Sequence, residues 1–232
     1  MQIKNLNKYF DHTLLKVTST KKDYITLCKE ALEHSFYSVC VPPIFVPFAK
    51  NQLQGSNVKI CSVVGFPSGL NNTETKINET KVLLKQGADE IDMVANLSFI
   101  KSKSWGKLYS EISFIRNKCS KKVLKVIVES SLLTKDEILN CCLVIKNAKA
   151  DFIKTSTGFN GPGAKLQDVQ FMQQVLYGSD VKIKASGGIR SLASATQFIN
   201  LGAQRIGSSS GVQIINQLKT GITNETSSRS NY

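Results

Sequence analysis

Apolar positions along this chain fall into two alternating patterns. Short, dense runs read as strands: "YSVCV" at 37–41, "KICSVVG" at 59–65, "EIDMVA" at 90–95, "VLKVIVE" at 123–129, "DFIKTS" at 151–156, "VKIKAS" at 181–186 and "QRIGS" at 204–208, with a shorter eighth at "YFDHT", 9–13. Between them apolar residues recur every three or four positions, the period of a helix with one buried face. In "DYITLCKEALEH" that face carries Ile25, Cys28, Ala31 and Leu32. Three helical stretches end alike, in "KQGADEIDMV", "KNAKADFIKT" and "NLGAQRIGS", running from small residues straight into a strand. Gly87 and Gly202 suit the left-handed residue that closes a helix.

Regular strand–helix alternation predicts parallel strands joined by crossover helices. Eight such units suit a closed (β/α)8 TIM barrel of one α/β domain. The rival is an open doubly wound sheet with fewer strands. A chain of 232 residues is long enough for one large core. The barrel is expected over residues 1–218, with no linker or second domain. Residues 219–232, "KTGITNETSSRSNY", are polar without an apolar period and are expected to form a flexible tail. No apolar run approaches the ~20 residues that span a bilayer, so no membrane association is expected. The start, "MQIKNLNKYFDH", lacks the apolar centre of a secretion signal.

The formal charge of +13 raises nucleic-acid binding as an option. The lysines are scattered, however, without an arginine cluster, so no nucleic-acid partner is expected. A general attraction for phosphorylated small molecules remains. Six cysteines without a C-x-x-C spacing read as reduced thiols of a cytoplasmic protein. With only His12 and His34, a histidine-rich metal site cannot be built, and neither metal nor cofactor is expected.

Three strand runs hold a lysine between apolar neighbours: Lys125, Lys154 and Lys184. They stand 29 residues apart from 125 to 154 and 30 from 154 to 184, one βα unit each time. Lysine is costly to bury without a partner. A single one would read as solvent-facing or as protection of a sheet edge. Three in successive units, two of them before Thr/Ser/Gly loops, read as a site on neighbouring barrel strands. An amine is a nucleophile only when neutral, and free lysine near pKa ~10.4 is well under ~0.1% neutral at pH 7. A drop of ~3 units would leave about half of it neutral, and a second cation with desolvation supplies such a drop. Lys154 with Lys184 fits nucleophile and neighbouring cation. Asp92, an acid inside "EIDMV", fits either a neutralising partner or a proton relay. Asp11 and His12 read as hydrogen-bonded supports, and Cys40 as a small buried residue. Thr155, Ser156 and Thr157 read equally as ordinary loop polarity or as shapers of a water network, and Tyr232 as an inert terminus.

"ASGGIR" follows the seventh strand and "IGSSSG" the eighth, just before the helical "GVQIINQL". Glycines allow close backbone approach, helix N-termini present free N–H groups to anions, and barrels often bind phosphate at these two loops.

The segments "FDHTLL", "SVCVPP", "VVGFPSG", "GADEIDMV", "LKVIVE", "ADFIKTSTGF", "IKASGGIR" and "RIGSSSG" resemble, in order over residues 9–212, the deoxyribose-phosphate aldolase family. The resemblance implies that Lys154 forms a Schiff base, that Lys184 is the second lysine and that Asp92 is the proton donor and acceptor. It implies that Gly187, Gly188, Ser209 and Ser210 help hold the phosphate, and Gly158 and Gly207 join them as glycines of the same loops. The implied reaction is reversible cleavage of 2-deoxy-D-ribose 5-phosphate to acetaldehyde and D-glyceraldehyde 3-phosphate, a step of deoxyribose phosphate catabolism, in a homodimer or homotetramer. Phe159 stands where some members carry a basic residue. The competing functions are another phosphosugar barrel enzyme, such as an isomerase or a transaldolase-like enzyme, and a basic nucleic-acid-binding protein.

Overall fold

The computed structural model describes residues 3–220. Its strands are β1 (Phe10–Thr13), β2 (Ser38–Val41), β3 (Lys59–Val64), β4 (Glu90–Val94), β5 (Val123–Ile127), β6 (Phe152–Lys154), β7 (Lys182–Ser186) and β8 (Arg205–Ser208). All are parallel and pair in chain order, and β8 closes onto β1. The (β/α)8 barrel is therefore the fold, and each strand lies within two residues of the run expected for it.

The helices are α1 (Lys21–Glu33), α2 (Val46–Gln52), α3 (Thr73–Gln86), α4 (Leu97–Lys101), α5 (Trp105–Cys119), α6 (Lys135–Asn147), α7 (Leu166–Val175), α8 (Leu192–Asn200) and α9 (Gly211–Thr220). Their ends are written locally. Thr20 with Asp23, and Thr134 with Glu137, form reciprocal capping boxes that satisfy first-turn N–H groups of α1 and α6. Gly87 ends α3 at φ +108°, a conformation that penalises any Cβ. The buried face of α1 is rotated from the one expected. Tyr24, Leu27, Cys28 and Ala31 are buried, whereas Ile25 is half-buried and Leu32 exposed. Tyr24 sets this rotation by stacking on Phe45, ring centroids 3.8 Å apart.

The apolar core is a shell between strands and helices. Outward positions such as Val39, Ile91, Val126, Ile153 and Ile183 lie under the helices. Burial of each such side chain contributes about 1.5–3 kcal/mol. The inward positions break the usual pattern of branched aliphatics. They carry a layer of charge, with a small separate apolar cluster of Cys40, Cys61 and Val63 beneath Leu15 and Phe66. Among the described residues no helix is long and apolar enough to cross a membrane. The segment 221–232, including Tyr232, lies outside the described residues.

Candidate active site

Side chains alternate across a strand, so residues two apart share a face. That rule explains the interior. Asp11 of β1 points in and its neighbour His12 points out, where His12 Nε2 meets Glu30 Oε2 at 2.7 Å. Glu90 and Asp92 of β4 both point in, as do Lys125 of β5, Lys154 of β6, Lys184 of β7 and Arg205 of β8.

Asp92 is the hub. Its Oδ2 accepts from Lys154 Nζ at 2.8 Å and from Lys184 Nζ at 2.7 Å, and its Oδ1 accepts from Lys125 Nζ at 2.8 Å. The Cys61 thiol donates to the same Oδ1 at 3.1 Å. Below it, Glu90 accepts from Lys125 at 2.6 Å and from Arg205 at 3.1 Å. Asp11 accepts from Lys184, from Arg205 at 2.5 Å and from the Ser38 hydroxyl at 2.6 Å.

Four cations (Lys125, Lys154, Lys184, Arg205) thus face three carboxylates (Asp11, Glu90, Asp92), an excess of one positive charge among buried side chains. Burial pushes the Asp92 carboxyl up, but the ammonium groups of Lys125, Lys154 and Lys184 outweigh it and hold it well below the usual carboxylate range. Asp11 is likewise raised by burial and lowered further by Lys184 and Arg205. Burial pushes Lys184 down, and Asp11 and Asp92 outweigh that and hold it above the ordinary lysine range. Lys125 is also held up, by Asp92 and its neighbours against burial. These shifts favour the ammonium form of Lys184 and the carboxylate form of Asp92 at neutral pH. Releasing one proton from the cluster would bring its count to neutrality. Lys154 is 3% exposed where Lys125 and Lys184 are fully enclosed, so its amine is the one with access to the mouth.

Thr155, Ser156 and Thr157 tie the ends of β5, β6 and β7 together. Thr155 Oγ1 donates to Ser186 O at 3.1 Å and accepts from Ser186 N at 3.0 Å. Ser186 Oγ donates to Ser156 O at 2.5 Å, and Thr157 N donates to Glu129 Oε1 at 2.7 Å. Gly158 and Gly187 come together at the mouth with Gly163, where a Cβ on Gly163 would lie 2.4 Å from Gly187 O. Gly188 follows in the same turn. Ser209 is exposed and Ser210 half-buried immediately before α9, and Ser210 N donates to Ser208 Oγ at 3.0 Å. Gly207 stands apart from these loop residues. It lies within β8, and a Cβ there would fall 2.9 Å from Ser186 Cβ and 3.0 Å from Lys184 Cε. Its lack of a side chain makes room for Lys184. Phe159, 47% exposed and directly after Gly158, meets Phe66 edge to face at 5.2 Å.

Glu90, Arg205, Cys61 and Glu129 are parts of the site that sequence reasoning passed over. Glu90 and Arg205 were reachable: each stands two residues from a residue already singled out (Asp92 and Gly207) in the same strand, hence on the same face.

This arrangement can hold an amine, a fixed cation and a carboxylate around one small space. The family model for DeoC/LacD family aldolases matches residues 6–217. The deoxyribose-phosphate aldolase of Mannheimia succiniciproducens is 47% identical over 219 residues, covering 94% of this chain and 97% of that one. The deoxyribose-phosphate aldolase of Mycoplasmoides pirum is 48% identical over 215 residues, covering 92% and 97%. A solved deoxyribose phosphate aldolase from Aeropyrum pernix, described as having a unique tetrameric structure, superposes with a TM-score of 0.87 at 32% identity, covering 94% of this chain and 92% of that one. The chain belongs to the DeoC/LacD family of aldolases.

Proposed function

We propose that this aldolase cleaves 2-deoxy-D-ribose 5-phosphate reversibly to acetaldehyde and D-glyceraldehyde 3-phosphate through a Schiff base on Lys154. The observation that carries the reading is the single carboxylate oxygen, Asp92 Oδ2, held at 2.8 Å from Lys154 Nζ and 2.7 Å from Lys184 Nζ.

Neutral Lys154 Nζ adds to the C1 aldehyde, and loss of water gives an iminium. That cation is an electron sink. When the C3 hydroxyl loses its proton, the C2–C3 bond breaks, C3 becomes the aldehyde of glyceraldehyde 3-phosphate, and C2 is left in an enamine. Protonation at C2 and hydrolysis release acetaldehyde and restore the amine. Covalent catalysis divides one difficult step into easier ones. Asp92, held ionised by its three ammonium neighbours, is suited to accept the C3 proton, directly or through water, and general-base help of this kind contributes about 10²–10⁴ in rate. Lys184 stays cationic and acts on developing negative charge.

The phosphate is assigned to the corner made by Gly158, Gly187, Gly188, Ser209 and Ser210 at the start of α9, where backbone N–H groups and the helix dipole favour an anion. Anchoring the far end of the substrate fixes C1 against Lys154, so remote binding serves the chemistry. Gly207 supports the site through Lys184 instead. Homology to a relative described as tetrameric supports a homo-oligomer, and six unbridged cysteines support a reducing compartment such as the cytoplasm. The reaction would serve deoxyribose phosphate catabolism.

The test is a cleavage assay on 2-deoxyribose 5-phosphate that measures both products. Equal release of acetaldehyde and glyceraldehyde 3-phosphate, abolished in Lys154→Met, is expected. Isomerisation of phosphosugars without cleavage would overturn the reading.

A further inference from the structure

Cys40 and Cys61 have no part in the mechanism above, yet both lie inside the barrel beside Asp92, fully buried. They are register partners on β2 and β3 and both point inward. Neighbouring strands run about 4.8 Å apart, inside the Cα separation of about 4.4–6.8 Å that a disulfide spans. Their sulfurs and an Asp92 oxygen lie mutually within 4.8 Å. Cys61 Sγ also donates to Asp92 Oδ1 at 3.1 Å and receives Lys125 Nζ at 3.5 Å. We propose that Cys40 and Cys61 are a peroxide-oxidisable dithiol, and that their conversion to a disulfide switches off the lysine site.

The surroundings single out Cys40 as the attacking thiol and Cys61 as its resolving partner, since burial, Cys40 and Asp92 push Cys61 well above its ordinary value. Contact with Cys61, acting against burial and helped by Lys184 and Lys154, lowers the Cys40 thiol from its ordinary value. Thiolate is the reactive form. Burial instead pushes Cys28 and Cys119 up to about 11 and Cys142 up to about 12, and Cys141 higher still. Two thiols and a carboxylate could in principle take a cation, but the ammonium groups of Lys125, Lys154 and Lys184 already surround that carboxylate and oppose one.

The chemistry balances with a hydroperoxide as oxidant. The Cys40 sulfur attacks a peroxide oxygen, the O–O bond breaks, and the departing hydroxide takes up the Cys40 proton as water, leaving a sulfenic acid. The Cys61 sulfur attacks that sulfur, the S–O bond breaks, and the Cys61 proton leaves with the hydroxide as a second water. Two thiols lose two electrons and the peroxide gains them; a dithiol reverses the exchange. The disulfide has no S–H, so Asp92 Oδ1 loses the donor at 3.1 Å just where the carboxylate must stay aligned between Lys154 and Lys184.

The loss of activity rests on the aldolase reading; the crosslink does not. The whole chain is exposed to hydrogen peroxide, its remaining thiols are alkylated in denaturant, and tryptic peptides are mapped while cleavage activity is followed. Lys50 and Lys59 separate the two cysteines, so a disulfide joins two distinct peptides. The expected result is a Cys40–Cys61 crosslink that rises as activity falls at least fivefold, with both reversed by dithiothreitol and the other four cysteines recovered alkylated. Cys61→Ala, and Cys40→Ala should the first fail to fold, should show no dithiothreitol-reversible loss. Cys40 and Cys61 both alkylated after inactivation would overturn the proposal, as would a crosslink with an unchanged cleavage rate. A crosslink in a chain that never cleaves the sugar would sink only the aldolase reading.

Discussion

Asp92→Asn removes one charge and almost no volume, at the point where the site is most connected. Asp92 accepts from Lys125, Lys154 and Lys184 at 2.7–2.8 Å and from Cys61 at 3.1 Å. Without its charge, four buried cations face only Asp11 and Glu90, and the excess grows from one positive charge to two. Removing one partner of a buried ion pair costs about 3–5 kcal/mol, and the low end applies because asparagine still accepts hydrogen bonds. For a chain of this size each kcal/mol moves the Tm by about 2–4 °C, so a drop of roughly 6–12 °C is expected in thermal denaturation. Loss of the proton acceptor lowers kcat for cleavage by about 10²–10⁴. A double variant, Asp92→Asn with Lys184→Met, separates the two effects. It restores the excess to one charge, so at least half of the lost Tm should return while activity stays lost. A single variant within about 2 °C of the parent Tm, or a double variant with fully additive losses, would refute the charge-count argument.

Further outcomes follow from the same geometry. Lys184 has a raised pKa in the folded chain, so its stabilisation is complete below the unfolded value of ~10.4 and disappears only as pH rises beyond that. The stability difference between the parent and Lys184→Met should therefore be flat from pH 6 to 9 in denaturant titrations; a collapse of the difference within that window would contradict the pairing. Asp11 and Asp92 are depressed, so their contribution is present above ~4 and lost only as pH falls through their lower folded values. Gly207→Ala drives a methyl into Ser186 Cβ and Lys184 Cε, which should cost about 1–3 kcal/mol in stability and at least tenfold in kcat by displacing the Lys184 amine. Ser210→Glu places a negative charge at the start of α9 and should raise KM for the phosphorylated sugar at least tenfold while sparing unphosphorylated deoxyribose, as measured by initial rates. Equal effects on both sugars would move the phosphate elsewhere.

The barrel was legible because its strands and helices carry different apolar periods, and because the units from β4 to β7 recur about every thirty residues. The three lysines were legible for the same reason: each is a polar residue placed where a strand should be apolar. What the linear pattern could not carry was pairing across the barrel. Asp11 and Arg205 are 194 residues apart in the chain and 2.5 Å apart in space. Lys125 stood out only as one of three strand lysines, and the register of β4 against β5 is what shows that it is locked to Glu90 and Asp92. Gly207 stood both in the expected strand at 204–208 and among the loop glycines, and the structure settles it in the wall. The face of α1 was misjudged because Tyr24, amphipathic by composition, is buried by stacking on a residue from the next unit.

The central claim is that the Lys154 amine bonds covalently to the substrate aldehyde. The direct measurement is borohydride reduction in the presence of 2-deoxyribose 5-phosphate, followed by peptide mass mapping. The account predicts a single reduced adduct on the peptide that carries Lys154, absent in Lys154→Met and absent without substrate. An adduct on Lys125 or Lys184 instead, or a folded and turning-over sample with no adduct at all, would contradict it.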